Sequence, residues 1–230
     1  MIERPILFSG EMVRAILDGW KKQTRRVVKP QPEAVHDGEP YWFIGGYRAW
    51  NYRPPSAVPL RAGGNPLPCP YGQPGDRLWV RETWKPHCEG PISPEFPLGT
   101  CVKYQADGAC VKPETWSVEE GFWCEAREET TRWRPSIHMP RWASRLTLEI
   151  ERVRVERVQA ITEADAAAEA VTIGKIRQSA GYPAPWRGYM RDENQVEAFN
   201  RLWDSINAKR GFGWAVNPWV WAITFKRVEN

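Results

Sequence analysis

The chain contains no uninterrupted apolar run of the roughly 18 to 20 residues that a membrane-spanning helix needs, which excludes a transmembrane reading. Its first residues, MIERPILFSGEMVRAIL, carry Glu3 and Glu11 and lack a long apolar core ending in a small-residue cleavage site. A secretory leader is therefore not expected, and the expected compartment is the cytoplasm. Histidine is scarce: His36, His87 and His138 are the three, all in or beside proline-rich stretches, so no histidine pair for acid–base work of the ribonuclease kind is evident. Five cysteines (Cys69, Cys88, Cys101, Cys110, Cys124) are odd in number, irregularly spaced and without a Cys-x-x-Cys pair. That pattern fits neither a disulfide framework nor a zinc ribbon. His87, Cys88, His138 and Cys69 could in principle gather round a metal, but the pattern favours buried free thiols, and neither a metal nor a cofactor is expected.

What is abundant is tryptophan, with 14, and proline, with 21. Fourteen of the prolines lie between Pro30 and Pro97, so that region is rich in loops. Its aromatics (Tyr41, Trp42, Phe43, Tyr47, Trp50, Tyr52) argue against plain disorder, which is normally aromatic-poor. At 230 residues the chain is long enough for a sizeable core. We read it as one domain over residues 1–230, with insertions at about 30–73 and 85–140.

The formal charge of +4 is concentrated at one end. Residues 1–30 hold Arg4, Arg14, Lys21, Lys22, Arg25, Arg26 and Lys29 against Glu3, Glu11 and Asp18, whereas the remaining 200 balance. Five of those cations fall between Lys21 and Lys29, which makes a local anion-contacting or nucleic-acid-contacting surface an alternative to a merely solvated turn.

Periodicity supplies the elements. Ser9 is a good N-cap, and Met12, Val13, Ile16 and Leu17 have helical spacing up to Asp18, with Gly19 as the stop. Lys21 to Arg26 then reads as a cationic turn, with a strand beginning at Val27 and ended by Pro30 and Pro32. A turn at Pro74–Asp76 leads into a strand from Arg77 to Trp84, and a hairpin is expected around Val102 to Val111. Leu146, Leu148 and Ile150 alternate with polar residues, as do Val153 and Val155, but the frame slips at Glu151–Arg152, so the strand bends or bulges. Thr162 caps a helix from Glu163 to about Ala170, and Val196, Phe199, Leu202, Trp203 and Ile206 mark another over Asp192 to Asn207. The alternation from Trp219 to Phe225 closes the chain with a strand. Strands separated by few helices indicate an α+β fold around a small curled sheet or barrel.

One spacing carries chemistry. Lys21 and Thr24 put an amine near a hydroxyl, the makings of a base and its nucleophile if neighbouring cations and burial lower the lysine pKa. By itself Lys-x-x-Thr is a weak signal.

Four segments taken together are more specific: ILFSGEMVRAILDGWKKQTRR, CPYGQPGDRLWVRETW, WRPSIHMPRWASRLTLEIERVRVERVQAITEADAAAEAV and NPWVWAITFKRV. Spanning nearly the whole chain, they resemble the phage and prophage ASCH-domain proteins, a branch of the PUA-like superfamily. The resemblance implies a small β-barrel with flanking helices, a bacterial host cytoplasm, and an association with RNA or modified nucleosides. Small bacterial relatives are amidohydrolases that remove acyl groups from the exocyclic amine of N4-acylated cytidine, such as N4-acetylcytidine. Transferred to this sequence, their catalytic set is Lys21, Thr24 and Glu169. Glu163 is the competing acid, with an ordinary capping explanation. Trp20 and Lys22 depart from the commoner Arg and Thr at those positions. Arg25 could steady an oxyanion, Lys22, Arg25 and Arg26 could contact substrate or phosphate, and Trp20, Trp79 and Trp84 are the nearest stacking surfaces for a base. A noncatalytic RNA-binding or modified-base-reading module uses the same residues for binding alone. Partners are thus a modified nucleoside or RNA and no membrane, and the sequence leaves the oligomeric state open.

Overall fold

The computed structural model describes residues 1–32, 34–36, 39–44, 47–51, 68–88, 100–111, 132–171 and 194–228. It is an α+β protein of mixed sheets and few helices, and it divides into two compact units. The first comprises residues 1–19, 75–149 and 226–230, the second 20–74 and 150–225.

In the first unit, strand β1 (Glu3–Leu7) runs parallel to β6 (Arg77–Arg81), from Glu3 opposite Arg77 to Leu7 opposite Arg81. The first residues of β10 (Thr147–Arg157) pair antiparallel with β6. Helix α1 (Gly10–Leu17) starts at Ser9, whose side chain accepts from the Met12 amide, and buries Val13, Ala15 and Ile16. A second sheet joins β7 (Trp84–Cys88), β8 (Thr100–Tyr104) and β9 (Cys110–Val111) in antiparallel order, so the hairpin expected near 102–111 is present. Trp84, Val102, Tyr104, Met139 and Ala143 form its core.

In the second unit, β2 (Gln23–Val27) pairs antiparallel with β11 (Trp219–Val228), and β11 lies beside β10. Helices α2 (Glu163–Ala168) and α3 (Gln195–Asn207) cover one face of this sheet. The core there is Val158, Ile161, Ala166, Val171, Ala198, Phe199, Trp203 and Val220, with Val27 packed against it. The aromatic, proline-rich stretch contributes a separate meander of β3 (Ala34–His36), β4 (Glu39–Ile44) and β5 (Tyr47–Asn51).

Several sequence expectations change. No barrel closes among the described residues: the hydrogen bonding is β1-β6-β10 in the first unit and β10-β11-β2 in the second. The strand expected from Arg77 to Trp84 stops at Arg81, and Trp84 opens β7 in another sheet. Glu82 between them donates its amide to Met139 Sδ and turns its carboxylate to Arg145. The slip in β10 is carried by exposed Glu151 and Arg152 between buried Ile150 and Val153, within an unbroken strand. Cys101 and Cys110 are not free thiols but a disulfide across the β8–β9 hairpin, whereas Cys69 is a buried thiol outside that disulfide. Cys124, Tyr52 and Asp192 lie outside the described residues. Helix α3 begins at Gln195 because Asn194 caps it, accepting from the Glu197 amide at 2.8 Å. No helix among the described residues is long and apolar enough to cross a membrane.

Candidate active site

Lys21 to Arg26 is not the cationic turn that its composition suggests. Five residues from Gln23 form strand β2, with Thr24 opposite Ile223 and Arg26 opposite Trp221. The strand register is fixed by its neighbours: Val28 donates to the Trp219 carbonyl, and Phe225 donates to the Lys22 carbonyl. Alternation along β2 places Gln23, Arg25 and Val27 toward α2 and α3; Thr24 and Arg26 alternate with them, and Arg26 still feels the charge of Glu169 at the end of α2. The cations therefore differ: Lys21 and Arg25 are buried, Arg26 is half-buried and Lys22 is exposed.

Helix α2 supplies the acids. Thr162 accepts from the Asp165 amide at 3.1 Å and starts the helix; Glu169 is its C-cap rather than an interior residue, so the helix stops two residues short of Ala170. Ala170 then turns the chain in a left-handed conformation, with φ +59°. Two orphan carbonyls at the helix end are met by the approach to β2. The Lys22 amide donates to Ala168 O at 2.8 Å, and Lys21 Nζ donates to Glu169 O at 3.0 Å.

Lys21 Nζ also donates to Glu169 Oε2 at 2.7 Å. Lys21 is 3% exposed and Glu169 7%, so this is a buried ion pair between residues 148 apart in sequence. Burial pushes the lysine pKa below its ordinary value, Glu169 pulls the other way, and the charges of Arg26 and Arg25 reinforce burial. The second carboxylate oxygen, Glu169 Oε1, is buried and accepts no hydrogen bond among the described residues; Arg25 Nη1 stands 3.5 Å from it.

Arg25 organises the rest. Its Nη1 donates to Gln23 Oε1 at 2.6 Å, and its Nη2 donates to Glu156 at 2.6 Å and to Asp165 at 3.0 Å. The guanidinium lies 5.7 Å from the Phe199 ring of α3. Asp165 also accepts from Gln23 at 3.0 Å and from Arg154 at 2.9 Å. Burial alone would raise the Asp165 pKa, but these hydrogen bonds and the charges of Arg25 and Arg154 outweigh it and hold the carboxyl down at about 2.

The other residues singled out from the sequence are dispersed. Thr24 is buried on β2. Arg26 is half-buried, close enough to Tyr71 and Glu169 to feel both charges. Trp20 is 65% exposed, and Lys22, two residues further on, is exposed too. Glu163, the competing acid, accepts from the Gln195 amide at 2.9 Å and so secures the start of α3. Trp79 and Trp84 belong to the other unit. Trp79 is half-buried with Arg81 over its ring, and Trp84 is a core residue packed edge-on to Trp142 rather than an open stacking platform.

Sequence reasoning missed Gln23, Arg154, Glu156 and, as a site residue, Asp165. A usable signal existed for the last: Asp165 and Glu169 are four apart and therefore share one face of α2. Among the described residues no group of three or more histidine, cysteine or acidic side chains could hold a metal. No protein-family model matches the chain, and neither a curated protein nor a solved structure does.

Proposed function

We propose that this protein is an amidohydrolase of the PUA-like ASCH type that removes the acyl group from N4-acylated cytidine or a related modified nucleoside. The observation that carries the reading is the lysine ammonium buried against a buried carboxylate at 2.7 Å, with burial lowering its pKa toward the range where an amine can accept a proton. The resemblance of the four sequence segments supplies the substrate class.

Thr24 Oγ1 attacks the acyl carbonyl carbon and its proton passes to neutral Lys21 Nζ. Collapse of the tetrahedral species breaks the carbon–nitrogen bond while Lys21 returns that proton to the exocyclic nitrogen, releasing cytidine. Water then attacks the acyl-threonine ester, Lys21 again taking the proton, and the carboxylic acid departs with Thr24 restored. Glu169 orients the lysine through Oε2. Arg25, with its guanidinium engaged by Gln23, Glu156 and Asp165, supports the acids rather than the substrate.

The exposure of both Trp20 and Lys22 favours a second reading, a module that binds RNA without turning it over. One experiment separates the two. Purified protein should release acetate from N4-acetylcytidine, and Lys21→Arg and Thr24→Ala should lose this activity by a factor of about 10² to 10⁴ while keeping the parent circular dichroism. A guanidinium keeps the charge but does not deprotonate near neutral pH. No acetate from the parent, together with salt-sensitive RNA binding that survives Lys21→Arg, replaces the hydrolase with the binding module.

A further inference from the structure

A lysine that serves as base must spend part of the cycle neutral, and its partner Glu169 would then be a buried anion without its nearest cation. Such an anion is costly, more so at the C-terminal, negative end of a helix. One permanently charged group stands ready to compensate it. Arg25 Nη1 lies 3.5 Å from Glu169 Oε1, the oxygen that Lys21 does not use.

We propose that Arg25 is the positioning residue whose charge stands in for that of Lys21 beside Glu169 when Lys21 gives up its proton. This rests on the reading of Lys21 as the base. The charge inventory of the cluster supports it. Lys21 faces Glu169 from α2 and Arg25 and Arg26 from β2; Arg25 is in turn engaged by Asp165 from α2 and Glu156 from β10, and Arg154 joins both of those acids. Tyr71 interacts electrostatically with Arg26, and Phe199 of α3 offers Arg25 no charge. With Lys21 protonated, four cations (Lys21, Arg25, Arg26, Arg154) stand against three carboxylates (Glu156, Asp165, Glu169). With Lys21 neutral the cluster balances. Arg25 cannot itself supply or take the proton at accessible pH, so its charge is fixed while that of Lys21 is free to change. The two hydrogen bonds from its Nη2, to Glu156 and to Asp165, keep the guanidinium where Glu169 needs it.

The test follows Lys21 directly. In protein labelled with ¹³C-lysine, the ε-carbon signal that vanishes in Lys21→Arg is titrated in the parent, in Arg25→Gln and in Arg25→Lys. The parent midpoint should lie below the ordinary lysine value of about 10.4. Arg25→Gln should raise it by about one pH unit or more, because Glu169 then holds the Lys21 proton alone, and Arg25→Lys should leave it near the parent. Should Arg25→Gln not fold, Asp165→Asn serves instead: it removes a carboxylate that competes for Arg25, and the midpoint should fall. An unchanged midpoint in folded Arg25→Gln, an equal rise in Arg25→Lys, a rise or no change in Asp165→Asn, or a parent midpoint at the ordinary lysine value each overturns the proposal. Absence of deacetylation alongside the expected midpoint shifts removes the hydrolase and leaves the role of Arg25 standing.

Discussion

Each unit sets an arginine between acids, and the two clusters are built differently. In the first unit Arg145 reaches Glu82 with Nε and Nη2 at 2.9 and 3.0 Å and Asp107 with Nη1 and Nη2 at 2.8 and 3.0 Å. All four carboxylate oxygens accept, and the guanidinium lies 4.0 Å from the Tyr104 ring. Burial opposes the charge on Arg145, but its bonds to Glu82 and Asp107 win and hold its pKa above the ordinary arginine value. In the second unit Arg25 is shared among three acids and a glutamine, a lysine joins the set, and Glu169 Oε1 receives no hydrogen bond among the described residues. A closed cluster fixes structure. An open one with a titratable amine leaves a place for a reacting group and a proton to move, which is why the proposed chemistry is placed in the second.

The sharpest way to break this contrast is Arg145→Met. Glu82 is 1% exposed, and without its guanidinium it becomes an uncompensated buried charge. We expect a loss of about 3–5 kcal/mol in chemical denaturation, the usual result of removing one partner from a buried pair. Adding Glu82→Leu should recover much of that loss, since an apolar replacement of both partners is often neutral. A single variant as stable as the parent would mean that the first cluster is not the structural clamp its geometry indicates.

Acid titration sharpens the contrast from the other side. The Asp165 carboxyl, at about 2 in the folded protein against 3.8 when unperturbed, is depressed on folding. Its contribution is fully present above the unfolded value and is lost as pH falls through the folded one. The window is therefore about pH 4 down to about pH 2, and the amount is about 2 kcal/mol. Asp165→Asn should flatten the stability–pH curve in that window when urea unfolding is followed at successive pH values. An unchanged slope would mean that Arg25 and Arg154 do not hold the carboxylate as their distances indicate.

How much of this was legible depends on where the partners lie. Local signals sufficed for Ser9 and Thr162 as caps, for the hairpin over 100–111 and for the alternation of β11, because each is decided by residues a few positions apart. Strand β2 was not legible. Its sequence, Gln-Thr-Arg-Arg-Val, is polar, and what makes it a buried strand is Glu156 and Asp165, 131 and 140 residues beyond Arg25. The parallel pairing of β1 with β6 and the Cys101–Cys110 bond likewise depend on contacts that spacing alone does not reveal. The approach of Lys21 to Glu169 spans 148 residues, and only the resemblance of whole segments pointed to it.

The smallest effect concerns the caps, and it compares the two units at nearly equal thermodynamic cost. Ser9 accepts from the Met12 amide at 3.4 Å and starts α1, whereas Thr162 accepts from the Asp165 amide at 3.1 Å and starts α2. Replacing either with alanine should cost about 1 kcal/mol, the typical value for an N-cap, with Ser9 at the lower end because its bond is long. The consequences should nevertheless differ. Helix α2 has six residues and carries both Asp165, which anchors Arg25, and Glu169, which anchors Lys21. A frayed first turn therefore loosens the acids of the open cluster, whereas the residues α1 buries are apolar. Thr162→Ala should lower kcat for N4-acetylcytidine several-fold more than Ser9→Ala does, with the two melting temperatures within a few degrees of one another. Equal kcat values for the two variants would show that the α2 cap serves stability alone and that Glu169 is held by Lys21 and Arg25 without help from the helix.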